Sequence, residues 1–159
     1  SDYATHVNNI VPTFFAESPL DAYATFFNVH RVDVISNESG VDNDPTNGIS
    51  RDTALDMGYF CNEIERLLCV NVSKALAAAG DAPDVDQVLA VGNSTKYGGA
   101  GYGASNLGTL AGINAGALEI GLHEFGHSFA DLAYSNSSRE LSPQHPDCVT
   151  FQSPLMYDI

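Results

Sequence analysis

The chain has 159 residues, 44% of them hydrophobic, and 20 acidic against 6 basic side chains give a formal net charge of -14. This length predicts a single domain over residues 1–159, and no apolar run approaches the ~20 residues that span a bilayer. Because so negative a chain repels a phosphate backbone and an anionic membrane surface, we expect neither nucleic-acid binding nor membrane insertion.

The first elements in chain order are a short helix and a strand, after a polar N-terminus. Ser18 and Pro19 are typical of a helix cap and of the first helical position, and they predict a short helix that begins at Pro19 and continues through 22–26. Residues 27–36 are rich in β-branched and aromatic side chains and predict a strand. A loop over 37–47 follows.

The middle of the chain predicts a helix and a second strand. Residues 53–68 show no clear periodicity, whereas 72–79 are rich in Ala and stop at Gly80, as a helix with a glycine end does. Residues 87–93 form a short apolar run between turn signals, which is typical of a buried strand. Strand, helix and strand in this order suggest a parallel pair with a crossover.

Three cysteines, Cys61, Cys69 and Cys148, allow at most one intramolecular disulfide. We favour the pair Cys61 and Cys69, with three buried thiols as the alternative. The absence of a C-x-x-C spacing argues against a zinc site built from cysteines.

The segment 97–108 contains five glycines, which make it too flexible to form a regular element without neighbours. It is either a mobile loop or the edge of a site that contacts substrate. The glycines do not follow the G-x-G-x-x-G order, and no Walker lysine follows, so a phosphate-binding loop is disfavoured.

The chemistry is carried by the sequence HEFGH at residues 123–127. It matches H-E-x-x-H, in which His123 and His127 lie on one helix face and bind one zinc ion while Glu124 acts as general base. At ~100° per residue, the apolar positions of this helix lie opposite the two histidines and form a stripe for the core. These positions are Leu118, Leu122, Phe125, Phe129 and Leu132.

The third protein ligand of the metal stays open. Asp131 continues the i, i+4 row, but in an unbroken helix it lies ~12 Å along the axis from His123, too far to share one ion. Glu140 or His145 would have to fold back from the segment after the helix, and neither has a diagnostic spacing.

Three blocks in this order and spacing resemble the bacterial IgA-peptidase family of zinc metallopeptidases. They are residues 27–40 (FNVHRVDVISNESG), 93–101 (NSTKYGGAG) and 123–129 (HEFGHSF). The resemblance implies an α+β, zincin-like fold with a twisted mixed β-sheet and an active-site helix carrying H-E-x-x-H. It also implies a cleft beneath an edge strand that aligns an extended peptide, with the strand entering 93–101 as its upper rim.

The chain departs from that family after the motif. Metzincins continue with a glycine and a third ligand where this chain has Ala130 and Ala133, and the resembling family has two acidic residues between the alanine and Tyr134. The third ligand could therefore also belong to residues that this chain lacks after Ala133. Near the C-terminus, Met156 resembles a Met-turn, and Tyr157 is a candidate hydrogen-bond donor to the transition state.

Motif and resemblance together predict a secreted, zinc-dependent endopeptidase that hydrolyses peptide bonds in extracellular proteins, with Zn2+ as cofactor and a polypeptide as substrate. The alternative from another class is a non-catalytic zincin-fold domain that recognises protein or glycan. A different zinc hydrolase, such as an amidase, would share the metal ligands. The sequence leaves the oligomeric state open.

Overall fold

A computed structural model describes the backbone of residues 2–130 and 156–158 and the side chains of residues 4–129. Its helices are α1 (Asp2–Phe14), α2 (Leu20–Tyr23), α3 (Val72–Ala79) and α4 (Ala117–Ala130), and its strands are β1 (His30–Val32), β2 (Val88–Gly92), β3 (Gly99–Tyr102), β4 (Leu107–Ala111) and β5 (Met156–Asp158). Single 3-10 turns cover Ala24–Phe26, Cys61–Glu63 and Gly103–Ser105. Within the described residues, no helix is long and apolar enough to cross a membrane.

The five strands form one small mixed sheet in the order β1-β5-β2-β4-β3. All neighbouring strands are parallel except β3, which runs antiparallel to β4 at one edge. The chain is therefore a mixed α+β protein, as the sequence predicts.

The two faces of the sheet carry separate apolar clusters. One face packs against α3 and the long segment between β1 and α3, where Leu68, Val88 and Leu107 are almost completely buried. The other face packs against α1 and α4, where Leu89, Leu110 and Ile120 meet. Alternation along β2 and β4 sends neighbouring side chains to opposite faces, so both strands are buried throughout.

Several sequence predictions in the middle of the chain are confirmed. Helix α3 spans Val72–Ala79 and ends at Gly80, and the side chain of Asn71 accepts a hydrogen bond from the backbone N–H of Lys74 at its start. The predicted strand over 87–93 is β2. A disulfide joins Cys61 and Cys69, whose Cα atoms are 6.0 Å apart.

Other predictions were wrong at the N-terminal end. Residues 2–14 form α1, because Val7, Ile10 and Phe14 make an apolar face at helical spacing that the interior Pro12 obscures in the sequence. The strand predicted over 27–36 is reduced to the three residues of β1.

The short helix predicted after Ser18 and Pro19 is one α turn, α2, followed by a 3-10 turn. Pro19 itself occupies the N-cap position and makes no side-chain cap hydrogen bond, so the predicted Ser18 cap is wrong. The 4-residue turn is anchored by the buried side chain of Leu20.

The C-terminal strand changes the predicted pairing of the two strands. Strands β1 and β2 are not direct neighbours, since β5 lies between them and is parallel to both. The backbone of Met156 and Tyr157 is part of β5, and the residues before it lie outside the described part of the chain, so the Met-turn stays a prediction. The segment 131–155, with the remaining candidate ligands, lies outside the described residues.

Candidate active site

Helix α4 brings the two histidines of the motif together. The side-chain Nε2 atoms of His123 and His127 are 3.0 Å apart, and the ring centroids are 4.5 Å apart with the planes at 85°. One helical turn separates the two residues, which places both rings on the same side of the helix. Two ring nitrogens thus converge on one point at the surface of the protein.

This geometry suits a shared divalent cation. Two imidazole nitrogens at Zn–N distances of ~2.0–2.1 Å in a tetrahedral shell lie about 3.3 Å apart, close to the observed separation. The pKa of His123 is lowered, first by burial and then by the charges of His127 and Arg66. A lowered pKa favours the neutral imidazole that a metal ligand requires.

A third metal ligand is not found among the side chains at positions 4–129. No group of three or more His, Cys, Asp or Glu side chains in that part of the chain could hold a metal ion. The candidates Glu140 and His145 lie outside the described residues, as does Asp131.

Glu124 lies between the two histidines in sequence, and its carboxyl group is buried. Its side chain is 6% exposed, and its Oε2 atom is buried with no hydrogen-bond partner among the described residues. Burial raises its pKa to about 7, while the charge of Arg66 acts in the opposite direction. A carboxyl group with this pKa both accepts and donates a proton near neutral pH.

The carboxyl group of Glu124 is buried because the sheet approaches α4 very closely. A Cβ atom added to Gly99 would lie 2.9 Å from Cγ of Glu124, and one added to Gly101 would lie 2.7 Å from Cβ of His127. On β4, a Cβ atom added to Gly108 would meet the Ser128 hydroxyl at 3.4 Å. Three glycines facing α4 thus set the distance between the sheet edge and the helix.

The opposite side of α4 is apolar, as the helical spacing predicts. Phe125 is 1% exposed and meets the ring of Phe14 on α1 edge-on, with centroids 5.4 Å apart. Leu118, Leu122 and Phe129 pack against the same cluster. The helix is therefore held between an aromatic cluster and the sheet, with the two imidazoles on the remaining side.

A family model described as IgA Peptidase M64 matches residues 1–147, which is most of the chain. The chain belongs to the IgA peptidase M64 family. No curated protein matches it. Membership in this family makes the chain a peptidase, that is, a hydrolase acting on polypeptides.

In this family member, the glycine-rich segment is ordered by its neighbours. Residues 99–102 form β3, and residues 103–105 form a 3-10 turn that leads into β4. The alternation of glycines along β3 follows from its contact with α4. The prediction of a mobile loop is therefore wrong for this segment, while contact with substrate stays a prediction.

Two residues of the IgA peptidase chain that act on α4 or its motif side chains were missed in the sequence. Gln87 is completely buried, and its Nε2 donates a hydrogen bond to the Ser128 hydroxyl at 2.6 Å, which ties α4 to the start of β2. Arg66 lies in a segment without periodicity, yet its charge acts on both His123 and Glu124. No local pattern could reveal either position, because both depend on contacts between residues far apart in the chain.

Proposed function

We propose that this chain is a zinc-dependent endopeptidase of zincin-like fold. The observation that carries the proposal is the pair of imidazole nitrogens 3.0 Å apart beside the buried carboxyl group of Glu124, in a chain of a peptidase family. His123 and His127 would hold the metal. A third ligand would come from the segment after α4, with Glu140 and His145 as the candidates in this chain.

The roles of the protein groups follow from their chemistry. When bound, zinc supplies Lewis-acid polarisation of the scissile carbonyl and lowers the pKa of a water molecule. Glu124 accepts the proton of the attacking water and then donates it to the nitrogen of the leaving amine. Its pKa of about 7 suits both transfers, since neither protonation state is strongly preferred at neutral pH.

Strand β3 would align the substrate. The backbone N–H of Ala111 donates to the C=O of Gly98, and alternation along the antiparallel pair turns the N–H and C=O groups of Gly99 and Gly101 away from β4. The C=O of Gly99 accepts a bond from the backbone N–H of Leu68 at 3.3 Å. The outward groups of Gly101 are the ones to which an extended peptide would add.

We also propose that the protein works outside the cell, on extracellular proteins. Two features support this. A disulfide between Cys61 and Cys69 persists in oxidising compartments and is rare in the cytosol. A net charge of -14 favours solubility in such a setting.

Metal analysis combined with a casein digestion assay tests the function. The purified chain should bind one zinc ion and cleave casein, and chelation with EDTA should abolish cleavage until zinc is restored. Glu124→Gln should retain zinc and lose about 10²–10⁴-fold in rate, the usual contribution of a general base. His123→Ala and His127→Ala should lose both zinc and activity, whereas His6→Ala on α1 should keep both.

Two results would contradict the assignment. Full zinc stoichiometry in either motif histidine variant would remove that residue from the site. A chain that binds no zinc and cleaves nothing, yet binds protein or glycan, would support the non-catalytic domain instead.

A further inference from the structure

Arg66 differs from the other basic residues in the described part of the chain. Arg31, Lys74 and Lys96 each form an ion pair with a carboxylate, and the Nε atom of Arg51 is buried. Arg66 is exposed and makes no ion pair or hydrogen bond within residues 4–129. Among the described residues, Arg66 is therefore the exposed cation that can bind an anion from outside the protein.

The backbone places Arg66 at the start of the edge strand. A Cβ atom added to Gly98 would collide with the carbonyl oxygen of Arg66. The next residue, Leu67, forms a parallel bridge with Gly99. The backbone of Arg66 and Leu67 therefore lies against the outer edge of β3 at Gly98 and Gly99, next to Gly101, whose outward groups would pair with an added peptide.

The charge of Arg66 reaches the catalytic groups. After burial and the charge of His127, Arg66 contributes to the lowered pKa of His123, and it opposes the effect of burial on the pKa of Glu124. The charge of Arg66 thus lies within electrostatic range of the motif side chains. A substrate with its scissile bond at Glu124 would pass close to it.

The segment that carries Arg66 is fixed on both sides. The Cys61–Cys69 disulfide closes it into a short loop. Within that loop Glu65 lies 3.1 Å from Nζ of Lys96, which itself lies 4.8 Å from the ring centroids of Tyr59 and Phe60. A fixed backbone reduces the entropy lost when the side chain binds a ligand.

We propose that Arg66 is a specificity-determining residue that binds a carboxylate of the substrate, so that the enzyme favours cleavage next to acidic residues. This inference rests on the proposed peptidase function and names the substrate class of the same site. A guanidinium group matches a carboxylate through two parallel hydrogen bonds. The net charge of -14 does not prevent this, because repulsion from charges beyond about 8–10 Å is screened at physiological salt while a direct contact is not.

Matched peptides test the proposal. A cleavage site is first mapped by mass spectrometry in casein, and amidated peptides of that site are then made with Glu or Gln at each of three positions on either side of the scissile bond. The wild-type enzyme should prefer Glu at one position by about 10-fold in kcat/KM, the ratio that corresponds to about 1.4 kcal/mol. A second set of the same peptides with free C-termini shows whether the C-terminal carboxylate of a peptide can replace the Glu side chain as the group that Arg66 binds.

Variants of Arg66 separate charge recognition from other effects. Arg66→Gln should reduce the Glu-to-Gln ratio to about 1, and Arg66→Glu should make the enzyme prefer Lys at that position. Arg31→Gln, a matched change on β1 at the opposite edge of the sheet, should keep the wild-type ratio. Raising NaCl from about 50 mM to about 500 mM should reduce the preference of the wild-type enzyme.

Three results would overturn the proposal while leaving the peptidase function in place. They are equal cleavage of all Glu and Gln peptides by the wild-type enzyme, an unchanged ratio in Arg66→Gln, and an equal fall in kcat for every peptide in that variant. If the zinc-loaded protein cleaves no peptide at all, the peptidase function fails instead. Fluorescence anisotropy with Glu124→Gln and labelled peptides still measures the preference for Glu in that case, and equal affinity for Glu and Gln peptides would refute the role of Arg66.

Discussion

Replacing Glu124 by Gln should stabilise the metal-free protein at alkaline pH. Folding raises the pKa of this carboxyl group from 4.5 to about 7 through burial. Between these values the folded protein keeps a proton that the unfolded chain has released, so stability falls as the pH rises through this window. At about 1.4 kcal/mol per pH unit, the loss amounts to about 3 kcal/mol at most. Gln has the same shape and no charge, so the variant avoids this loss.

The measurement is urea unfolding in EDTA, followed by circular dichroism at pH 5 and pH 8. The free energy of unfolding of Glu124→Gln minus that of the wild type should be about 2–3 kcal/mol larger at pH 8 than at pH 5. Glu119→Gln changes an exposed carboxylate of the same helix and serves as the control for the loss of one negative charge. A difference for Glu124→Gln that is the same at pH 5 and pH 8 would refute the reasoning, since the carboxyl group would then be solvated in the folded state.

Three further changes probe the packing of α4 and the stability of the loop closed by the disulfide. Gly101→Ala would place a Cβ atom 2.7 Å from the Cβ atom of His127. This variant should lower the free energy of unfolding by about 1–3 kcal/mol and should bind zinc more weakly in a titration. The control is Gly121→Ala, in which the nearest neighbours of the new Cβ atom are 3.8 Å away, and it should unfold no earlier than the wild type. Ser128→Ala leaves one of the two N–H groups of the buried Gln87 amide without its acceptor, while the other still has the carbonyl of Val88, and should cost about 1–3 kcal/mol in urea unfolding; a loss below about 0.5 kcal/mol would show that water replaces the hydroxyl. Opening the short loop by reducing the Cys61–Cys69 disulfide should cost about 2–3 kcal/mol, and an unchanged melting temperature after reduction would contradict this.

The sequence predicts best where local periodicity and tertiary contacts agree. Helix α3 needs only its alanines, a capping Asn71 and a terminal Gly80, and its predicted bounds match the structure. Strand β2 is apolar throughout and buried on both faces, so its position is also evident. The motif residues are brought together as their spacing predicts, because one helical turn is a local property of the backbone.

Long-range pairing was not predictable in the same way. Strand β1 keeps only three residues because its neighbour β5 is itself a three-residue strand from the other end of the chain, and β-propensity over 27–36 carries no information about that partner. Strand β4 was missed because its two polar or small positions, Gly108 and Thr109, break the apolar pattern. Contacts with distant parts of the chain explain both residues. Gly108 makes room for α4, and the hydroxyl of Thr109 donates a hydrogen bond to the carbonyl of Leu68.

The glycines of β3 connect the fold with the proposed chemistry. A side chain at Gly99 or Gly101 would push α4 away from the sheet, and water would then reach the carboxyl group of Glu124. Solvation would return its pKa toward 4.5, where it is a weaker proton acceptor. The burial that would make Glu124 a suitable base costs stability in the metal-free protein, while the aromatic packing of Phe125 stabilises the other side of α4. The distance between α4 and the edge strand β3 therefore determines both the position of the helix and the pKa of Glu124.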